Sequence, residues 1–310
     1  MSEVTNTEKK KKKFSLHDNF VVLPLVGFVL LLLGQALGLY GLRKPMAEFV
    51  NLLIPGFSAT DVWKTAVFYL DFVGIWIVML LAIVLIPRNR PILKALTTKT
   101  KGNTPKMFAV GLGIGLGLNL LCAFAAMLNG DIRITFDSFR PVSLLFVFVT
   151  VLIQSAAEEL ICRVYIYQRL MHRYNRPIFV AVVNAGFFAL IHIFNDGIGI
   201  LPLVNLFIHG LMFSAMVIYL DSPWATMTAH TAWNFCQNIL LGLPNSGHVL
   251  PYSVFKLETA AATDSFAYSV AFGLEGTITA CVTLFVVAAL IVWWGTKRKV
   301  TPTPVWEDEA

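Results

Sequence analysis

Eight stretches of this chain run apolar for about twenty residues each, and no water-soluble core uses that much uninterrupted hydrophobic sequence. They fall at about 20–42, 64–87, 106–128, 141–161, 177–195, 200–220, 223–243 and 273–296. A helix needs about 20 apolar residues to cross the hydrocarbon core of a bilayer. Composition agrees: 57% of the 310 residues are hydrophobic and 14% charged, where a soluble domain carries about a quarter charged residues. None of the stretches alternates in the manner of a barrel strand, and an open sheet cannot satisfy its backbone in lipid, so the spans are helices. The third is laced with Gly111, Gly113, Gly115 and Gly117, as closely packed membrane helices often are. The expected fold is an all-α, polytopic membrane bundle of about eight transmembrane helices.

Eight spans put both termini on one side, and the basic residues identify it. With the N-terminus in the cytoplasm, the inner segments hold Lys9 to Lys13, Arg88 to Lys106, Arg163 to Arg176, and Lys297 to Lys299, together 18 of the 24 Lys and Arg. Arg43, Lys44, Lys64, Arg133, Arg140 and Lys256 remain outside. Cytoplasmic loops carry such an excess, so both termini are expected to be cytoplasmic. The net charge of +6 then reflects topology and attraction to anionic lipid, with no call for nucleic acid. The first stretch is too long for a signal-peptide core and reads as an uncleaved anchor. Cys122, Cys162, Cys236 and Cys281 all fall within spans without C-x-x-C spacing, so they read as small buried hydrophobes.

The chain divides into a polar lysine-rich tail (1–19), three helices and their loops (20–140), a core of four helices (141–243), an extracytoplasmic loop with the last helix (244–299), and a second tail (300–310). The loop from 244 to 272, with Pro244, Gly247 and Pro251, is long enough to fold over the outer mouth of the bundle. No soluble domain or internal repeat is visible. Nearly all ionisable residues at membrane depth lie between 154 and 238. Such groups are costly in lipid and by default face the bundle interior.

They form three clusters. In the first, Glu158, Glu159 and Arg163 lie toward the inner end of the fourth stretch, where Arg163 begins a basic loop. Glu159 and Arg163 are spaced i, i+4, the favourable order for an ion pair. Glu158 is rotated about 100° away, leaving one carboxylate tied down and the other free to act as a general base. The competing explanation is a solvated helix end. The second cluster is Phe188 and His192, although a lone histidine on an apolar face is more often a core residue. The third is His230 and Asn234, again i, i+4, which could equally be interhelical hydrogen bonding. Together, a carboxylate, two histidines and a carboxamide can activate water and stabilise an oxyanion. Glu158, His192 and His230 are also residue types that bind zinc. No H-E-x-x-H or G-x-S-x-G motif is present.

E-E-x-x-x-R at Glu158, Glu159 and Arg163, F-x-x-x-H at Phe188 and His192, and H-x-x-x-N at His230 and Asn234 resemble, in order and spacing, the three motifs of one family. It is the CAAX protease and bacteriocin-processing (Abi) family of intramembrane peptidases, which includes the type II CAAX prenyl endopeptidases. The resemblance covers roughly 140–240 and extends to Gly210, Tyr219, Ser222 and Trp224. Val164 stands where the family usually has glycine and Cys162 where a bulky apolar residue is common, departures expected to alter packing near the substrate path. Gly273-Leu274-Glu275-Gly276 resembles a segment of some members and is assigned no role.

The resemblance implies an intramembrane endopeptidase acting on membrane-associated or lipidated peptides, in CAAX-type, leader-peptide or bacteriocin processing or in self-immunity. Glu158, helped by His192, would deprotonate water; His230 and Asn234 would stabilise the oxyanion; Glu159, Arg163 and Phe188 would support them. A metallopeptidase label also attaches to the family, so the cofactor is either none or a zinc ion held by Glu158, His192 and His230. Membrane lipid and a peptide substrate are the expected partners, and the plasma membrane of a bacterium the expected location. Two other classes compete: a transporter or ion relay built on Glu158, Glu159 and Arg163, and a non-catalytic membrane scaffold or immunity protein. The missing repeat symmetry weighs against the transporter.

Overall fold

The computed structural model describes residues 16–306. The Lys9–Lys13 run of the N-terminal tail and the acidic end at 307–310 lie outside the described residues. Helices dominate: α1 (Val22–Ala36), α2 (Arg43–Leu53), α3 (Asp61–Leu70), α4 (Val73–Val84), α5 (Pro105–Leu128), α6 (Pro141–Glu159), α7 (Tyr167–Tyr174), α8 (Pro177–Leu190), α9 (Ile200–Tyr219), α10 (Pro223–Asn234) and α11 (Ile278–Lys297). Two short strands, β1 (Ile134–Phe136) and β2 (Phe255–Leu257), pair antiparallel in the loops. Helix starts follow from local chemistry. Thr104 and Ser222 cap α5 and α10 by accepting from the amides of Met107 and Ala225, and proline holds the first helical position in α5, α6, α8 and α10, where its missing N–H costs nothing.

Among the described residues, six helices are long and apolar enough to cross a membrane: 22–53, 61–84, 105–128, 141–174, 200–219 and 278–297. Their outward residues, such as Leu25, Val29, Leu120, Phe124, Phe285 and Leu290, are exposed, which suits a hydrocarbon solvent and not water. The fifth expected stretch is the shorter apolar helix α8. The seventh, α10 with its continuation to Leu240, is not among the six. It carries Thr226, Thr228, His230, Thr231, Asn234, Gln237 and Asn238, all buried, and tolerates them because the other helices surround it.

Two boundaries differ from the sequence expectation. The first helix runs on through a π-helical stretch at Leu37–Leu42 into α2. The fourth does not end near residue 161 in a basic loop: a π-helical stretch, Leu160–Ile166, carries it into α7. Arg163 is therefore fully buried inside the bundle, because its charge is met there by Glu159 and by aromatic faces.

Close packing depends on one face of α5. A Cβ on Gly111 or Gly115 would run into the backbone of Ala225 or Ala229 on α10, whereas Gly113 and Gly117 face open space. The small residues that matter are thus four apart, letting two backbones touch, and they fix α10 one residue before His230. Gly210 on α9 likewise sits against Ala185 of α8.

Contacts sort the loops into two ends. At one, Arg169 pairs with Asp18, His172 stacks on Trp306 at 4.5 Å, and Thr303 accepts from the amide of Lys101 and donates to Asp221. At the other, β1 and β2 pair, Asp131 accepts from Ser265, and Asn195 donates to the carbonyl of Ser246.

Candidate active site

Glu158, Phe188, His192, His230 and Asn234 line one cavity of about 210 Å³, and Glu159 and Arg163 are buried beside it. They come from α6 and its continuation, α8 with the turn that follows it, and α10. The helix carrying Glu158 and Glu159 changes from α to π hydrogen bonding at Leu160, and α10 does the same directly after Asn234. Such stretches re-aim successive side chains and are frequent at functional sites.

Glu159 and Arg163 form a fully buried ion pair, Oε1 to Nη1 3.1 Å. The guanidinium also donates to the carbonyl of Gly210 at 3.1 Å and lies over the rings of Phe188 and Phe213, 4.6 and 5.2 Å from their centroids. Further donors and faces offset the desolvation of a buried pair. Here the Gly210 carbonyl and the two rings do so in part, while Glu159 Oε2 and Arg163 Nε have no hydrogen-bond partner. The same Glu159 Oε1 lies 3.1 Å from Nδ1 of His230. A carboxylate only accepts, so that nitrogen carries the proton and Nε2 points onward.

His192 is oriented in the same way by a different acceptor. Its Nδ1 is 2.8 Å from the carbonyl oxygen of Phe188, one helical turn earlier. A carbonyl cannot donate, so Nδ1 is protonated and Nε2 presents its lone pair. The F-x-x-x-H spacing thereby has a physical basis: the Phe188 ring covers Arg163 while its backbone fixes the histidine tautomer.

Glu158 is 7% exposed. Its Oε1 accepts from Nε2 of Gln154 at 2.8 Å, while Oε2 has no hydrogen-bond partner. That orphaned oxygen lies 3.7 Å from Nε2 of His230 and 3.9 Å from Nε2 of His192. A water making two linear hydrogen bonds of about 2.8 Å at its own H–O–H angle spans acceptors about 4.4 Å apart, so the 3.9 Å gap between Glu158 and His192 admits a bridging water with bent hydrogen bonds.

Asn234 is placed one step back. Its Nδ2 donates to Oε1 of Gln154 at 3.1 Å and to Oγ of Ser155 at 3.3 Å, and its Oδ1 accepts from Asn245 at 3.2 Å. Gln154, pinned at its oxygen, is left to grip Glu158 with its nitrogen. Asn245 also donates to Glu275, 3.4 Å away. The Glu275 carboxylate further accepts from Trp233 Nε1 at 3.0 Å and from the amide and hydroxyl of Ser246 at 2.8 and 2.7 Å. An unbroken chain of hydrogen bonds therefore runs from Glu275 through Asn245, Asn234 and Gln154 to Glu158.

Several cavity residues escaped the sequence reading, namely Gln154, His209, Asn238, Asn245, Ser246 and His248, and Glu275, singled out there without a role, also lines the cavity. The segment around 244–248 does fold across the cavity, held by Asn238, which donates to the carbonyls of Leu243 and His248. Burial holds His248, at the mouth, below the usual histidine range, with Asp196 acting in the opposite direction. Gly210, Tyr219, Ser222 and Trp224 work outside the cavity. Gly210 carries the carbonyl that holds Arg163, Tyr219 packs against Gly295, Ser222 caps α10, and Trp224 Nε1 donates to the carbonyl of Leu96. Cys162 and Val164 are buried in the core and are not among the residues that line the cavity.

Tetrahedral zinc at about 2.0–2.1 Å from its ligands places neighbouring donors about 3.4 Å apart. The separations of 3.7 and 3.9 Å around Glu158 are wider. Among the described residues no group of three or more His, Cys, Asp or Glu is arranged to hold a metal ion. The donor set has the right chemistry for zinc but not the spacing.

Residues 140–236 match the family model of the type II CAAX prenyl endopeptidases, Rce1-like. No curated protein matches the chain. The resemblance carried by the three motifs is thus borne out over the helices that build the cavity. Over these residues the chain is similar to CAAX-type intramembrane proteases, and the matched segment is set in a multi-pass membrane protein.

Proposed function

We propose that this Rce1-like domain hydrolyses peptide bonds of membrane-associated substrates through a water molecule activated by Glu158, without a resident metal. One observation carries the reading: the buried, partnerless Oε2 of Glu158 faces two imidazole Nε2 atoms at 3.7 and 3.9 Å.

The water donates its hydrogens to Glu158 Oε2 and His192 Nε2 and turns a lone pair to the scissile carbonyl. As the oxygen–carbon bond forms, an O–H bond breaks and the proton passes to Glu158. The carbonyl oxygen becomes an oxyanion beside His230. With Nδ1–H committed to Glu159, a protonated His230 donates through Nε2–H, and the buried carboxylate balances its charge. Collapse of the tetrahedral intermediate breaks the C–N bond, and Glu158 returns its proton to the leaving amine. Asn234, whose donors are engaged by Gln154 and Ser155, acts by orienting Gln154 and hence Glu158, leaving the oxyanion contact to His230.

The test is a proteoliposome assay that follows peptide cleavage and ion flux together. Cleavage by wild type but not by Glu158→Gln, without flux, supports the reading. Flux without cleavage would favour an ion relay. A cellular phenotype that persists in Glu158→Gln and His192→Gln would favour a scaffold.

A further inference from the structure

Membrane proteins place their basic loops on the cytoplasmic side, and the loops at the two ends of this bundle differ in charge. The end where Asp18, Arg169, His172, Asp221 and Thr303 meet carries twelve Lys and Arg between Arg88 and Lys299, and the five lysines at 9–13 immediately precede it in sequence. Arg163 no longer counts toward this end, because it is buried in the site. Only six basic residues, Arg43, Lys44, Lys64, Arg133, Arg140 and Lys256, lie at or toward the opposite end.

The cavity belongs to that opposite end. Its walls include Asn195, Asn245, Ser246, His248 and Glu275, from the loops that hold β1–β2 and contact one another there. Asn195 donates to the carbonyl of Ser246, Gly247 packs on Asp196, and Gly197 on Ala271. None of the residues at the basic end lines it. On its side wall, exposed Gln35 and partly buried Ile191 border the cavity, and Ile191 also borders an apolar groove of about 430 Å³ between α1 and α8.

We infer that the site is reached from the extracytoplasmic side, and that its substrates are extracytoplasmic juxtamembrane stretches of membrane-anchored proteins. A cytoplasmic, lipidated C-terminus would sit at the wrong end of the bundle. This inference rests on the peptidase reading for its substrate, but its sidedness is independent of catalysis.

The test uses the full chain expressed in the plasma membrane of a bacterial host. Val249→Cys places a thiol on an exposed residue beside His248, and Thr98→Cys places one on the basic end. Wild type, with Cys122, Cys162 and Cys236 buried and Cys281 half-buried, gives the background. A membrane-impermeant maleimide should label Val249→Cys in intact cells and Thr98→Cys only after permeabilisation; the reverse pattern would overturn the proposal. In a second arm, a single-span reporter carries the same peptide on either side of the membrane. Cleavage is expected only of the extracytoplasmic copy, and cleavage confined to the cytoplasmic copy would contradict the substrate assignment. Labelling as expected with neither reporter cut would refute the peptidase reading and leave the sidedness standing, whereas reversed labelling with cleavage would do the opposite.

Discussion

A single oxygen, Oε1 of Glu159, lies 3.1 Å from Arg163 Nη1 and 3.1 Å from His230 Nδ1. Sequence spacing explains the first contact, since i, i+4 neighbours on a helix meet. The second joins positions 71 residues apart and ties the ion pair to the reacting end of the site. Glu159 therefore holds the local helix and also orients a histidine, which leaves Glu158 as the carboxylate free to handle a proton.

That shared oxygen separates two kinds of loss. Glu159→Ala leaves Arg163 as an unpaired buried cation, a change that costs about 3–5 kcal/mol. Its melting temperature in detergent should fall markedly. His230→Gln keeps the ion pair, so it should melt within a few degrees of wild type and lose cleavage by about 10²–10³-fold, the worth of an oxyanion donor. Equal melting temperatures for the two variants would contradict this division.

The hydrogen-bonded chain from Glu275 to Glu158 makes a graded prediction. Glu275→Gln keeps the shape but loses the charged acceptor for Trp233, Asn245 and Ser246, and should slow turnover about tenfold, equivalent to about 1.4 kcal/mol. Asn234→Ala frees Gln154 directly and should slow it further, with kcat affected more than KM because the residue acts through Glu158. An unchanged kcat in Asn234→Ala would remove Asn234 from the site.

The glycines of α5 predict a contrast in stability. Gly111→Ala and Gly115→Ala force α10 away, overpacking that costs about 1–3 kcal/mol, and Gly115→Ala should also depress activity because Ala229 adjoins His230. Gly113→Ala and Gly117→Ala, with nothing within 4 Å, should melt like wild type. Thermal unfolding of the four purified variants decides it.

Metal removal should leave the enzyme working. Incubation with a strong chelator is expected to preserve cleavage, and elemental analysis of active protein should find substoichiometric zinc. Loss of activity restored by zinc would contradict the wide donor spacing around Glu158.

The membrane class, the helical fold and the residues of the three motifs were legible in the sequence because each is a local signal. Apolar length identifies a spanning helix, and i, i+4 spacing identifies a shared face. What was not legible depends on tertiary contacts. The π-helical continuation past Leu160 leaves no mark in composition, so Arg163 read as the start of a loop. Gln154 and Asn245 are ordinary carboxamides until another helix or loop meets them. Glu275 had one usable signal, an acid flanked by Gly273 and Gly276 at the entrance to an apolar helix, but nothing local ties it to Trp233. Helix α10 is polar enough to lie outside the six apolar spans, and that same polarity is what places it at the cavity.

The most direct measurement is the single-turnover rate of one identified peptide bond in wild type, Glu158→Gln and Glu158→Asp, each matched for melting temperature. Glu158→Gln keeps the bond to Gln154 in reach but cannot take a proton. Its rate should fall at least about 10²–10⁴-fold, the range of general-base catalysis, and Glu158→Asp should retract the carboxylate and retain only a small remainder. A Glu158→Gln enzyme that cleaves at the wild-type rate would show that the proton goes elsewhere.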